Sequence, residues 1–326
     1  MCKSEDYLVT VTVPIYNSSE FIDECFKCLL KQTYENYEVV FVVDERTTDN
    51  SEEKLMKIAT QFDNIRVIKQ TDGKGLGGAR NIGIMESKGD VIWFLDVDDY
   101  PHPLFLEELL KIMSETDADT VICNHYQSFE KKIMDIPNKK YSFKVVDGGW
   151  ATEHYTEYPV YSWSRIQKKS IFNEDTMFRE RPAAEDIEQT IRQLIGSRKV
   201  CYYNKPLFTY VKGKRTSTKN NRSKELQSLE LTTLSIIPYV KEKVPINIYQ
   251  NFEKTFLLNM VRQATFSDYR SYSRWYKTSS CRSLIEKVQN RTFEMKLFLF
   301  SKTLYYFFLY PFSHYFWDRK NGLWQD

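Results

Sequence analysis

Two uninterrupted apolar runs that end in acid constrain this chain more than any other feature. Glu38 to Val43 stops at Asp44, and Val91-Ile-Trp-Phe-Leu95 runs straight into Asp96, Asp98 and Asp99. A strand that is apolar on both sides must be covered on both sides, which is the habit of parallel sheets. In open sheets of that kind ligands bind in the crevice beyond the carboxyl ends of the strands, where these acids would lie. Carboxylates there, with waters and phosphate oxygens, could complete the oxygen shell that Mg²⁺ or Mn²⁺ prefers. The competing reading is a solvated polar turn before a helix, marked by Pro101 and Pro103.

The rest of the first 125 residues fits the same architecture. Leu8 to Val13 alternates valine with threonine and reads as a strand ending at Pro14. Asn17-x-x-Glu20 resembles a capping box for a helix whose apolar face is Ile22, Cys25, Phe26, Leu29 and Leu30. A helix over 51–61 and strands at 65–69, 91–95 and 120–123 continue the alternation, so the expected fold class is α/β. It takes the form of a mostly parallel, Rossmann-like sheet with helices on both faces. From 126 to 210 the pattern is mixed, with a helix expected at 185–197 and strands near 199–203 and 207–211. Residues 219–326 read as mainly helical. Six scattered cysteines among 326 residues do not form a disulfide framework, and Cys25-x-x-Cys28 reads as part of a core helix.

Two further segments could carry chemistry. Gly73-Lys-Gly75-Leu-Gly-Gly78 matches Gly-x-Gly-x-x-Gly, but it follows the third strand, whereas the dinucleotide fingerprint occupies the first strand-to-helix turn, here Pro14 to Asn17. What remains is a loop whose backbone can approach a phosphate closely, with Arg80 as a bidentate partner. Asp186, in Ala183-Ala184-Glu185-Asp186, sits at the start of an expected helix and is either an N-terminal cap or a general base.

Taken in order, Val-Thr-Val-Pro-Ile-Tyr-Asn at 11–17, Val-Val-Asp-Glu-Arg-Thr-Thr-Asp-Asn-Ser at 42–51, Gly-Gly-Ala-Arg-Asn-Ile-Gly at 77–83, Asp-Val-Asp-Asp at 96–99 and Ala-Glu-Asp at 184–186 resemble the inverting glycosyltransferases of family 2, with their GT-A fold. The resemblance covers roughly residues 7–218. It implies a catalytic domain over 1–218, with a nucleotide-sugar-binding half at 1–125 and an acceptor-binding half at 126–218. In that resemblance Pro14 and Tyr16 line the nucleobase pocket and Asp44 bonds the uracil. Arg80 lies near that acid and the diphosphate, Asp96 contacts ribose or sugar, Asp98 ligates Mn²⁺ or Mg²⁺, and Asp186 deprotonates the acceptor. Trp163 and Glu185 are implied on the acceptor side, with a core tryptophan as the other reading of Trp163, and Arg215 and Ser217 over the diphosphate. The family's usual Asp-Asp-Gly-Ser is replaced by Asp44-Glu45-Arg46-Thr47, which alters the base-reading corner. UDP stays the favoured nucleotide. The resemblance also implies a glycan or lipid-linked saccharide acceptor. A nucleotidyltransferase, an NAD-dependent sugar enzyme and an inactive sugar-nucleotide-binding subunit are the other readings.

Charge and aromatic content extend the expectation to the surroundings. Net charge is +2, yet residues 1–163 hold 17 Lys and Arg against 29 Asp and Glu, and the second half holds 29 against 15. A basic second half suits an anionic partner such as a phospholipid surface or a pyrophosphate. Residues 293–317 are rich in aromatics but interrupted by Lys302 and Pro311, which fits an interfacial helix better than a membrane span. The polar N-terminus carries no signal-peptide pattern. The expected location is therefore the cytoplasm, at the cytoplasmic face of a membrane, with no nucleic acid as partner and homo-oligomerisation left open.

Overall fold

A computed structural model describes residues 7–179, 185–211, 222–265 and 279–288. It divides into two compact units, the first comprising residues 1–151, 158–180 and 185–214, the second 152–157, 181–184 and 215–326.

The first unit is built on a nine-stranded mixed sheet. Its strands are β1 (Val9–Ile15), β2 (Tyr37–Asp44), β3 (Ile65–Gln70), β4 (Val91–Phe94), β5 (Tyr100–Pro101), β6 (Thr120–Ser128), β7 (Phe143–Val146), β8 (Arg165–Lys168) and β9 (Val200–Val211). They run in the order β3-β2-β1-β4-β8-β6-β9-β5, with β7 beside β9. β3, β2, β1 and β4 are mutually parallel. Beyond them β8 is antiparallel to both β4 and β6, and β6 pairs parallel with β9. The parallel expectation therefore describes the first half of the sheet, and β8 makes the second half mixed.

Helices cover both faces, which explains why β1, β2 and β4 are buried almost throughout. On one face Val9, Val11, Val13, Phe41 and Trp93 pack against α1 (Ile22–Leu30), α2 (Ser51–Ala59) and α4 (Phe105–Thr116) through Cys25, Leu29, Leu55, Phe105 and Leu109. On the other, Val40 and Val42 meet Ala79 and Ile82 of α3 (Gly75–Met85). Cys25 and Cys28 are both buried in the first of these layers or beside it, as expected of a core helix.

Three local expectations are corrected. β1 does not stop at Pro14 but continues to Ile15, because its pairing with β4 ends at Thr12 and Phe94, and past that point no donor on that side is needed. Asn17 and Glu20 form no capping box: α1 begins at Ile22 without a side-chain cap, and Asn17 turns instead to the loop after β2. The two strands expected near 199–203 and 207–211 are one, since the interruption at Asn204–Pro206 is absorbed as a bulge against Cys123 and Asn124 of β6.

Two helices, α5 (Gly148–Glu153) and α6 (Glu185–Gly196), follow α4 in the chain. Within the second unit, α7 (Arg222–Lys243) and α8 (Ile246–Thr265) pack on each other, with Ile236, Val240, Phe252, Phe256 and Met260 buried. Tyr155 lies against Phe252 and Phe256, and its hydroxyl accepts a bond from Asn259 at 3.0 Å. No described helix is long and apolar enough to cross a membrane, and residues 293–317 lie outside the described residues.

Candidate active site

The carboxyl ends of the parallel strands bring the first group of residues together. Ile15 pairs with Val43, so Tyr16 and Asp44 leave the sheet at the same level. Asn17 adopts a left-handed backbone with φ of 45°. Its Oδ1 accepts from the Thr48 amide at 2.8 Å and the Asp49 amide at 3.3 Å. Ser19 N donates to Asp49 at 2.9 Å, and Ser18 N to Ser51 at 3.0 Å. These bonds stitch the β1 loop to the β2 loop and hold the corner around Asp44 rigidly.

Asp44 is buried and Tyr16 exposed. Asp44 is not matched with Arg80; its partner is Arg46, two residues on. Oδ1 accepts from the Arg46 amide at 2.9 Å and from its Nε at 2.8 Å, while Oδ2 accepts from a terminal guanidinium nitrogen at 2.5 Å. This fork holds the Asp44 carboxyl below its ordinary range. The guanidinium lies 5.8 Å from the centre of the Tyr16 ring.

Arg80 organises the second group. It lies on α3 with no exposed surface. One nitrogen donates to Asp186 Oδ1 at 2.8 Å and another to Asp96 Oδ1 at 3.0 Å, and Phe178 covers the guanidinium at 5.3 Å. Asn81 next to it fixes that cover by a reciprocal pair of bonds with the Phe178 backbone, at 2.9 and 2.8 Å. One buried cation thus joins the end of β4 to the first turn of α6 (Glu185–Gly196), where Asp186 lies 106 residues along the chain from Arg80. Burial pushes the Asp96 carboxyl up, Arg80 opposes this, and the nearby Asp186 and Asp98 charges raise it further.

Asp186 is the second residue of α6 and not its cap; its carboxylate is turned to side chains. Besides Arg80, its Oδ1 accepts from the Ser162 hydroxyl at 2.6 Å. Ser162 directly precedes Trp163 in the chain, and no motif in the sequence marks it. Arg165 in the same segment is also buried and anchors α6, donating to Thr190 and Gln193 at 2.8 Å and to Gln167 at 3.1 Å. Loss of hydration pushes its guanidinium down to about 10.

Of the two readings of Trp163, its burial matches the core one. It is 3% exposed, stacked on Phe208 at 4.4 Å and on Tyr161 at 4.9 Å, so it offers no face to a ligand. Tyr161, 40% exposed, takes the outer position of that stack. The Glu185 side chain, Arg215 and Ser217 lie outside the described residues. Pro14 is buried in β1, and Asp98 lies partly exposed on the turn that follows β4. Among the described residues no three His, Cys, Asp or Glu side chains are grouped so as to hold a metal ion by themselves.

Comparison with known proteins bears on this geometry. Residues 10–178 match the family model described as "Glycosyl transferase family 2". Over 119 residues the chain is 40% identical to glycosyltransferase GlyG of Streptococcus pneumoniae serotype 4, a match covering 36% of this chain and 39% of that protein. The crystal structure of S. aureus TarS 1-349 superposes with a TM-score of 0.64 at 17% identity, covering 86% of this chain and 81% of the other. Mannosyltransferase PcManGT from Pyrobaculum calidifontis, in complex with GDP-Man and Mn²⁺, superposes with a TM-score of 0.57 at 15% identity, covering 99% and 88%. At these identities the two structures establish a shared fold. The chain spans well under half the length of GlyG.

Proposed function

Because this chain belongs to glycosyl transferase family 2, we propose that it moves a sugar from a nucleotide-sugar, with UDP as the favoured nucleotide, to a hydroxyl of a glycan or lipid-linked saccharide by a single inverting displacement. The observation that carries this reading is Arg80, whose buried guanidinium holds the partly exposed Asp96 and Asp186 together. S. aureus TarS has been crystallised with UDP-GlcNAc and PcManGT with GDP-Man, which fits a nucleotide-sugar donor. In this reading residues 1–125 bind the donor and 126–218 the acceptor.

Asp186 is the base. Arg80 and Ser162 both bond its Oδ1, so Oδ2 is the oxygen that neither engages and the one that takes the acceptor's proton. Two bonds fix the carboxylate's direction, and a positioned base contributes about 10²- to 10⁴-fold in rate. Pro14, Tyr16 and Asp44 border the nucleobase, and Asp96 contacts ribose or sugar. Arg80 also lends positive charge to a site where negative charge develops on the leaving diphosphate.

Asp98 would hold Mn²⁺ or Mg²⁺. The residues fit such an ion: burial first, and then the charges of Asp186 and Asp98, raise the Asp96 carboxyl, and Mg²⁺-like ions are commonly held by one or two carboxylates plus substrate phosphates. When bound, the ion supplies Lewis-acid stabilisation of the departing diphosphate. Residues 293–317, with the basic surplus of the second half, would lie on the cytoplasmic face of a membrane carrying the acceptor.

The test is release of UDP from a panel of UDP-sugars with an acceptor extract, with and without Mn²⁺. Turnover should require Mn²⁺, fall about 10²- to 10⁴-fold in Asp186→Asn, and disappear in Asp98→Ala. Metal-independent turnover would exclude the metal role, and binding without transfer to any acceptor would make the chain a binding subunit.

A further inference from the structure

In this chain the acid that the family resemblance assigns to the nucleobase already has an arginine on it. Asp44 accepts three bonds from Arg46, two on Oδ1 and one on Oδ2. A carboxylate offers about four lone-pair sites, and a guanidinium five N–H groups. Oδ1 is therefore filled, Oδ2 keeps one acceptor site, and the nitrogen bonded to Oδ2 keeps one N–H. The two functions are adjacent. Around them the corner is built closely: the Tyr16 ring lies 5.8 Å from the guanidinium carbon, and a Cβ added to Gly75 would come within 3.7 Å of the Arg46 nitrogen that bonds Oδ2. Gly75 has a φ of 64°, so the glycine loop can run this close to the pair without strain. The Arg46 side chain is 56% exposed and the Asp44 side chain 7%, so the acceptor is presented beside an accessible donor.

We infer that Arg46 is a specificity-determining residue, which converts Asp44 from a lone acceptor into an adjacent donor and acceptor selecting a nucleobase with a carbonyl next to a ring N–H. This rests on the nucleotide-sugar reading above. Uracil presents such an edge, and so does guanine. Cytosine and adenine present the reverse, an amino group next to a bare ring nitrogen, and would set donor against donor and lone pair against lone pair. A site built around buried polar groups rejects a ligand that leaves them unmatched. The ligand class is thus a nucleoside diphosphate with a keto-imide base, and Arg46, not Asp44 alone, reads it.

The experiment is calorimetric titration of the full chain with UDP, GDP, CDP and ADP in the presence of Mn²⁺, repeated for Arg46→Ala and Arg46→Lys. Wild type should bind UDP or GDP at least about tenfold more tightly than CDP and ADP, a margin of the size expected for bonds to charged groups. The UDP and GDP arms separate the two keto-imide bases. Arg46→Ala should bring the ratio close to one, and Arg46→Lys, which lacks the planar fork, should restore little of it. Arg46→Ala removes two of the three bonds on buried Asp44 and should lower the melting temperature of the unliganded chain, so the readout is the ratio of affinities measured within each folded variant. An unchanged ratio in Arg46→Ala, or tighter UDP binding there, would overturn the inference and make Arg46 an occluding side chain. If wild type binds none of the four, the nucleotide-sugar reading fails, and this inference with it.

Discussion

Arg80 and Asp96 show how a single residue can be held against its own preference. Burial and the charges of Asp186 and Asp98 raise the Asp96 carboxyl above its ordinary value of 3.8, in spite of Arg80. A raised folded-state value means that the neutral form is favoured by folding. That contribution is complete below about pH 4 and is lost as the pH rises through the raised value. Asp96→Asn, which is neutral throughout, is therefore expected to melt at a higher temperature than wild type near pH 7.5 and to lose that advantage as the pH is lowered toward about 4. Thermal melts across this range test it, and a variant less stable than wild type at neutral pH would contradict it. Activity should fall at the same time, a trade between stability and function that polar sites often make. The acids themselves were legible in the sequence, because an apolar run ending in carboxylates is a local pattern. Ser162 was not, since a serine acquires meaning only from the carboxylate that the fold brings to it.

At the scale of elements, α3 determines where Arg80 points, and Gly83 determines where α3 lies. A Cβ at Gly83 would overlap the side chain of Thr12 on β1, so the helix can sit this close to the sheet only with glycine there. Gly83→Ala must push α3 outward by part of a van der Waals radius, which costs about 1–3 kcal/mol for overpacking. Arg80 lies one turn earlier on the same helix, so donor-dependent turnover should drop in parallel. A variant with wild-type melting temperature and kcat would show that α3 shifts without consequence. The strand-helix alternation that locates α3 could be read from periodicity. The capping of α1 could not, because Asn17 had two sets of orphan amides within reach and the tertiary loop contacts at Thr48 and Asp49 prevailed.

For the whole molecule, the division of charge between the halves and the aromatic segment at 293–317 lead to a prediction about where the protein works. The full chain should co-sediment with anionic vesicles more strongly at low salt than at high salt, since exposed charges beyond about 10 Å are screened at 0.1 M. A chain ending at Glu286 should lose most of this binding. Equal sedimentation of both would remove residues 287–326 from any membrane role.

By itself the sequence determined the layered α/β class, the order of the first strands and helices, and the acids at the strand ends, because hydrophobic periodicity and turn residues act over a few positions. Only the tertiary structure decided that β8 enters the sheet antiparallel between β4 and β6, that Trp163 is core and Tyr161 its exposed face, and that Asp44 is matched with Arg46 while Arg80 unites Asp96 with Asp186. Each of these depends on groups far apart in the chain competing for one partner, or on a departure from the family's local pattern. Such a competition is settled by distance and burial in the folded protein, which no local window of sequence contains.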